Sequence, residues 1–297
     1  MFIIGLGDGL GNQMFQYAFY YAMKNVYSQS RVVFDTKYFY GSVNAHNGIE
    51  LTKVFGIELP RCTKRQAYAL ADYHIEIKSQ HPFMSILWGV RKILNGPKDT
   101  YLSIDDATAY YKEVFELNPL KSYYLRGNWI NPMYFDKYRQ ELSEIFVFSL
   151  LDDEKNNQYM QQIRETNSVS VHIRAGDYLN NPNLEQLDRN YYDAAVEYIK
   201  NQIGCNIKLF VFSDDKEYAR TCFADIENTV FIDCNSGENS YKDMQLMTLC
   251  KHNIIANSTF SFWGAYLNLN RDKIVIAPKK ASRNCNNPFA CDDWVLL

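Results

Sequence analysis

The stretch SVSVHIRAGDY, residues 168–178, indicates the fold class of this chain. Its apolar side chains Val169, Val171 and Ile173 alternate with polar ones, as they do in a β-strand that is buried on one face. His172 and Arg174 follow the same alternation and therefore share one face near the end of the strand. We predict a strand here whose last polar residues enter a loop.

The same strand is the first of several that alternate with helices. Helical spacing follows at 190–203, and apolar strand-like runs recur at 207–213, 229–234, 253–256 and 273–278, each separated from the next by a helical segment. Strands that alternate with helices from residue 168 to residue 278 predict a parallel sheet covered by helices on both faces.

The first half of the chain is less regular. It has an opening strand and helix, a strand within 31–39, a helix-rich stretch to about residue 118, and a strand within 122–129. The polar run at 151–158 separates the two patterns, although it also suits one exposed helix start. We predict an α/β protein with an N-terminal domain over residues 1–150 and a C-terminal domain over residues 151–297.

The amino-acid composition limits which classes of partner the protein is expected to bind. The 297 residues are 47% hydrophobic and carry a formal net charge of -3, so there is no general attraction to nucleic acid. The seven cysteines are scattered without a C-x-x-C pair, which favours reduced thiols over a zinc site. We expect a cytoplasmic protein that is at most peripheral to a membrane. The apolar stretch 83–94 fits a buried helix better than a surface anchor.

The opening MFIIGLGDGLGNQMF has glycine at positions 5, 7, 9 and 11. A dinucleotide-binding loop needs G-x-G-x-x-G or G-x-G-x-x-A, and all three registers fail at the last position. An ordinary turn with a helix cap explains one glycine more easily than four. We therefore favour a loop that faces a ligand, followed by a helix that carries Asn12, Gln13 and Gln16. The buried stripe of this helix is predicted to be Phe15, Ala18, Phe19, Ala22 and Val26.

Polar residues gather where the predicted strands of the second half end. Residues 172–177, 213–215 and 257–261 all follow strands, and ligands of such sheets bind beyond the carboxyl ends. We therefore predict that these three segments converge on one crevice.

Four ordered motifs resemble those of bacterial α-1,2-fucosyltransferases of glycosyltransferase family 11. They are GLGNQMFQYA (9–18), VHIRAGDY (171–178), VFSDD (211–215) and ANSTFSFWGAYL (256–267). With LRGNWINPMYF (125–135) the resemblance covers nearly the whole chain. One position departs from it, because Ala175 stands where the family commonly has a second arginine.

The resemblance implies a GT-B type fold, in which two Rossmann-like domains face a cleft and the C-terminal one binds the sugar nucleotide. It implies transfer of L-fucose from GDP-β-L-fucose to the 2-hydroxyl of a galactose, with inversion and with no cofactor or required metal. The acceptor would be a galactose-containing oligosaccharide or lipid-linked glycan of a surface polysaccharide. A nucleotide-sugar or glycan-binding protein without catalysis is the alternative.

The leaving diphosphate needs stabilisation, and the sequence has no Asp-x-Asp motif to hold a metal. An arginine fork and the start of a helix are the remaining means. Arg174 supplies the first. The second is expected from Asn257, Ser258, Thr259 and Ser261.

The other candidate substrate contacts could instead have a purely structural role. His172 could touch guanine or ribose, and Ser213, Asp214 and Asp243 could contact the donor, although capping and solvation suit the two aspartates equally well. Asn12, Gln13 and Gln16 could meet either the diphosphate or the acceptor.

Several carboxylates are candidates for the general base. Asp177 either takes the proton of the acceptor hydroxyl or orients Arg174, with equal weight. Asp35 and Glu185 are weaker candidates for the base.

Overall fold

The computed structural model describes residues 1–37, 46–71, 86, 90, 98–175, 187–282, 285–287 and 290–297. The chain divides into two compact units, Met1–Ile145 and Phe146–Leu297, so the first unit ends five residues before the predicted boundary. Most of the apolar stretch 83–94 lies outside the described residues. Among those that are described, no helix has the length and apolar character to cross a membrane.

Unit 1 contains a four-stranded parallel sheet in the order β2-β1-β4-β3. Its strands are β1 (Phe2–Gly5), β2 (Val32–Asp35), β3 (Tyr101–Ser103) and β4 (Tyr123–Arg126). Its α-helices are α1 (Leu10–Val26), α2 (Glu50–Phe55), α3 (Lys64–Leu70) and α4 (Arg139–Ile145), with 3-10 turns at Lys112–Phe115, Pro132–Tyr134 and Asp136–Tyr138. β3 lies in the stretch that the sequence pattern predicted as helix-rich.

Helix α1 is buried on more than one side. Tyr20 packs against Phe34 of β2, with ring centroids 4.6 Å apart, while Phe19 stacks on Trp129 at 4.0 Å. The predicted stripe is buried as far as Ala22, but Val26 in the last turn is 40% exposed. Because neighbours surround the helix, its glutamines are buried as well.

Unit 2 contains a six-stranded parallel sheet in the order β12-β9-β8-β5-β6-β7, which confirms the predicted α/β class. Its strands are β5 (Ser168–Ile173), β6 (Lys208–Ser213), β7 (Thr229–Phe231), β8 (His252–Ile254), β9 (Val275–Ala277) and β12 (Val295–Leu296); β10 (Lys280–Ser282) and β11 (Cys285–Asn286) pair separately. Its α-helices are α5 (Glu154–Glu165), α6 (Arg189–Ile203), α7 (Lys216–Phe223), α8 (Tyr241–Leu249) and α9 (Thr259–Tyr266), with a 3-10 turn at Gly237–Asn239.

Apolar layers cover both faces of this sheet. Val169, Val171 and Ile173 pack with residues of α6 and α7, whereas Phe210 and Phe212 pack with residues of α5 and α8. Every residue of β5 is buried, as expected for a central strand of a parallel sheet. The polar end of β5 is thereby held in a rigid frame.

Candidate active site

The strand order of unit 2 reverses at β5. This strand pairs with β6 on one side and with β8 on the other. The chain therefore continues from β5 to β6, towards one edge of the sheet, and from β8 to β9, towards the opposite edge. Such a reversal opens a crevice at the carboxyl ends, which is where open α/β sheets bind ligands. Two of the three predicted polar segments, after β5 and after β8, flank this position, and the third follows β6.

Arg174 and Asp214 meet at this edge of the sheet. Arg174 Nη1 lies 3.0 Å from Asp214 Oδ2, and the backbone N–H of Ala175 donates to Asp214 Oδ1 at 3.0 Å. Both charged side chains are about one third exposed, at 31% and 27%. Asp214 therefore orients the guanidinium, and the Ala175 side chain, which replaces the usual arginine, is fully buried beside it.

His172 lies on the same strand and is 5% exposed. Burial, and secondarily the charge of Arg174, lowers its pKa to about 4, while Asp214 acts in the opposite direction. Its Nδ1 has no hydrogen-bond partner among the described residues, and its ring lies 5.9 Å from the ring of Phe260. A neutral imidazole with a buried nitrogen that lacks a partner is suited to a ligand contact.

The segment after β8 forms the start of helix α9. Ser258 is its N-cap and accepts the N–H of Phe260 at 3.3 Å. Asn257 is buried and Thr259, the first helical residue, is partly exposed. Ser261 is buried, and its hydroxyl donates to the carbonyls of Ala256 at 3.4 Å and Ser258 at 3.3 Å, so it stabilises the turn at the start of the helix.

Ser213 stabilises the turn after β6. Its Oγ accepts the N–H of Asp215 at 3.0 Å, and Asp215 caps helix α7 by accepting the N–H of Tyr218 at 2.9 Å. Ser213 is 8% exposed, so its main observed role is structural.

Asp243 is a buried member of helix α8. Burial raises its pKa to about 7, although Asn235 Nδ2 donates to its Oδ1 at 2.7 Å. Asn235 in turn exchanges hydrogen bonds with Asn156 at 2.9 and 3.0 Å. These contacts explain Asp243 as part of an interior polar network, which neither helix capping nor solvation describes.

In unit 1, the side-chain amide of Gln13 is fully used by the protein. Its Nε2 donates to the carbonyls of Asp8 at 2.8 Å and Gly48 at 2.9 Å, and its Oε1 accepts the N–H groups of Glu50 at 2.9 Å and Leu51 at 3.4 Å. Gln13 therefore has a structural role within unit 1, and its predicted substrate contact stays a prediction.

Gln16 belongs to a chain of hydrogen bonds below the opening loop. Its Oε1 accepts the N–H of Gly7 at 2.9 Å and its Nε2 donates to Asn128 Oδ1 at 2.8 Å. Asn128 Nδ2 donates to Asp8 Oδ2 at 3.0 Å, and Asn12 Nδ2 approaches the same oxygen at 3.4 Å. Asn12 and Gln16 thus position Asp8.

The opening loop borders a cavity of about 280 Å³ within unit 1. Its charged lining residues are Asp8, Asp35, Lys37 and Arg126. Only Asp35 among these was a predicted site residue, although Lys37 and Arg126 lie within the predicted strands at 31–39 and 122–129. The position of Asp8 inside a glycine run was the one local signal available.

Two predicted candidates for the base, Asp177 and Glu185, lie outside the described residues. Asp35 is described and buried, and it accepts the hydroxyl of Tyr124 at 3.0 Å and the N–H of Lys37 at 3.0 Å. The described ranges contain no group of three or more His, Cys, Asp or Glu side chains that could hold a metal ion.

Comparisons with known proteins identify a family over the whole chain. A model described as glycosyl transferase family 11 matches residues 1–295. The O-antigen biosynthesis glycosyltransferase WbnK of Escherichia coli is 33% identical over 98% of this chain and 99% of its own length. An alpha-1,2-colitosyltransferase of Escherichia coli is 34% identical over 92% of this chain and 89% of its own. Galactoside alpha-(1,2)-fucosyltransferase 2 of Bos taurus is 28% identical over 45% of this chain and 42% of its own.

Proposed function

The chain belongs to glycosyl transferase family 11, and on that premise we propose that it moves L-fucose from GDP-β-L-fucose to the 2-hydroxyl of a galactose residue, with inversion. The observation that carries the proposal is the Arg174–Asp214 pair beside the neutral His172 at the strand reversal of unit 2. The match to a bovine galactoside alpha-(1,2)-fucosyltransferase supports the linkage.

The reaction places negative charge on the departing diphosphate. Arg174 is positioned by Asp214 before the donor arrives, so its guanidinium can bind phosphate oxygens without first being ordered. The N–H groups at the start of helix α9, capped by Ser258, favour the same anion. The acceptor hydroxyl oxygen then forms its bond to the anomeric carbon, and its proton passes to a carboxylate base, for which Asp177 is the leading candidate. The electron pair of the broken bond between the anomeric carbon and the phosphate oxygen leaves with GDP.

The remaining donor contacts are assigned from the positions of these residues at the carboxyl ends of β5 and β8. His172 offers a nitrogen to the nucleoside, and Asn257 and Thr259 border the diphosphate in this proposal. Unit 2 is thus the donor-binding domain and unit 1 the acceptor-side domain. The acceptor is a galactose-containing oligosaccharide or lipid-linked glycan in surface polysaccharide synthesis, a proposal supported by the similarity to WbnK, an O-antigen biosynthesis glycosyltransferase. The enzyme would work in the cytoplasm, at most peripherally bound to the membrane.

One experiment tests the reaction and its chemistry together. Purified protein is incubated with GDP-fucose and a panel of galactose-terminated oligosaccharides, and released GDP and the new linkage are followed, the latter by NMR. We expect an α-1,2-linked product, and we expect it also with EDTA present. A strict requirement for a divalent metal would contradict the proposed mechanism.

Arg174→Ala tests the assigned residue. Loss of the phosphate contact is expected to lower kcat by a factor on the order of 100 or more. Arg164→Ala, which removes an exposed arginine of helix α5, serves as the matched control. Near-normal turnover in Arg174→Ala would remove Arg174 from its proposed role.

Two alternatives have defined tests. Colitose is L-fucose without the 3-hydroxyl, and the match to a colitosyltransferase makes nucleotide-activated colitose a second candidate donor. Competition between the two donors at equal concentration separates these candidates through the ratio of kcat/KM values. Binding of GDP without product from either donor would favour a nucleotide-sugar-binding protein that lacks catalysis.

A further inference from the structure

We propose that the cavity of unit 1 is a binding site for one neutral pyranose ring of the glycan acceptor, recognised by Asp8, Lys37 and Arg126. The inference rests on the proposed function for the identity of that acceptor. It rests on the geometry of unit 1 for the site itself. Neither Lys37 nor Arg126 was a predicted site residue.

The size of the cavity limits what it can hold. Its volume of about 280 Å³ lies just below the range of about 300–1,000 Å³ that is usual for pockets of drug-sized ligands. One sugar ring is a ligand of this smaller class. Ile104 and Ala107 contribute apolar surface to the lining, which suits the carbon face of a pyranose.

The lining of the cavity carries equal numbers of negative and positive side chains. Asp8 and Asp35 contribute two carboxylates, and Lys37 and Arg126 contribute two cations. A balanced set provides hydrogen-bond donors and acceptors together, which is what hydroxyl groups need because each of them both donates and accepts. An anionic ligand would find the two carboxylates unfavourable, so the lining favours a neutral sugar.

The charged side chains are held in place by neighbours. Lys37 Nζ donates to the Tyr68 hydroxyl at 2.8 Å, and Arg126 Nη1 donates to the Tyr101 hydroxyl at 3.3 Å. A site whose polar groups are already fixed loses less entropy when a ligand binds.

Two glycines allow the walls of the cavity to form. A Cβ on Gly5 would lie 3.3 Å from the hydroxyl of Tyr124, which donates to Asp35. A Cβ on Gly127 would overlap the side chain of Ile104, which would have to shift to make room. Gly5 and Gly127 thus lie where side chains of the cavity wall come close to the backbone.

Asp8 is the residue most clearly poised for a ligand. It has a backbone φ of 63°, in the left-handed region that few residues other than glycine adopt. Asn128 and Asn12 hold its Oδ2, whereas its Oδ1 makes no hydrogen bond within the described part of the chain. The network that ends in Gln16 and Gly7 therefore presents one carboxylate oxygen to the cavity.

Binding can be tested without turnover. Methyl glycosides of β-galactose, β-glucose and N-acetyl-β-glucosamine are titrated into the full-length protein and followed by saturation-transfer NMR. Asp8→Asn removes the negative charge and one acceptor oxygen of residue 8, and Lys37→Met removes the ammonium donor. Asparagine tolerates the left-handed backbone of residue 8. Asp99→Asn and Lys121→Met are matched controls at exposed positions of unit 1.

We expect at least one glycoside to bind, about tenfold or more weakly in each cavity variant, and with unchanged affinity in the controls. Calorimetric titration of GDP should give the same affinity in all five proteins. Glycoside binding that is absent from the wild type, or equal in wild type and both cavity variants, overturns the inference.

Donor assays separate this inference from the proposed function. The cavity inference alone fails if the wild type releases GDP from GDP-fucose and makes product while the glycoside affinity is the same in the wild type and in both cavity variants. If the wild type uses no fucosyl donor while a glycoside binds in a cavity-dependent way, the proposed donor fails and the cavity inference stands.

Discussion

Arg174 and Asp214 form an ion pair of 3.0 Å that depends on the pairing of two parallel strands. Arg174 follows β5 and Asp214 follows β6, and the register that aligns Ile173 with Ser213 places both side chains at the same edge. Asp214 thereby orients the guanidinium of Arg174, while the orienting role considered for Asp177, which lies outside the described residues, stays a prediction. It also accepts the Ala175 N–H, which fixes the loop that carries the arginine.

Asp214→Asn should lower kcat by about tenfold or more, because the guanidinium loses its fixed orientation. The melting temperature should change little, since a pair that is one third exposed contributes little to stability. Steady-state kinetics and thermal unfolding measure the two quantities. Asp225→Asn, which breaks the exposed pair with Arg189, is the control and should leave kcat unchanged. Equal loss of activity and stability in Asp214→Asn would indicate a structural role only.

The imidazole of His172 should remain neutral in the folded protein down to about pH 5, which NMR titration of its ring protons can measure. Its pKa lies below the unfolded value of 6.5, so this group lowers the free energy of unfolding as the pH falls from about 6.5 towards 4. Arg174→Ala should raise the pKa of His172, because a nearby positive charge is removed. Arg164→Ala should not change it. An unchanged pKa of His172 in Arg174→Ala would contradict the electrostatic effect of Arg174 on His172.

Asp243→Asn should stabilise the protein at pH 8 by roughly 1–3 kcal/mol and have little effect near pH 4. The pKa of Asp243 is raised to about 7, so the folded state binds a proton that the unfolded state releases above about pH 4. Stability contributed by this group therefore falls as the pH rises from about 4 to 7. Urea unfolding at both pH values measures the difference. Asp272→Asn, at an exposed position, is the control, and a stability loss at pH 8 in Asp243→Asn would contradict the prediction.

Gln13→Ala should lower the free energy of unfolding by about 2–4 kcal/mol, because buried N–H and carbonyl groups of residues 8 and 48–51 lose their partners. Denaturant unfolding measures this loss. Gln140→Ala removes an exposed glutamine of helix α4 and should change stability by less than about 0.5 kcal/mol. A Gln13→Ala protein with wild-type stability and a raised acceptor KM would restore the substrate contact that the sequence suggested.

The sequence predicts regular elements where their periodicity is strong. The strands and helices of unit 2 were found close to their predicted positions, because alternation and helical spacing are local properties of the chain. Four strands were not predicted. β3 lies in the stretch that was expected to be helix-rich, and β10, β11 and β12 lie after residue 278, where no strand-like apolar run was identified. Val26 was wrongly placed in the buried stripe because the spacing of a helix does not show where its neighbours end.

In the candidate site, too, some features follow from the sequence and others only from the tertiary structure. The sequence by itself determined the α/β class and the positions of His172 and Arg174 at the end of a strand, because strand alternation depends on adjacent residues. Only the tertiary structure decided that Asp214 orients Arg174, that Gln13 is used up by backbone groups, and that Asp8, Lys37 and Arg126 line one cavity. The hydrogen-bond partner of a buried polar group is set by sheet register and packing between distant segments, which no local pattern records.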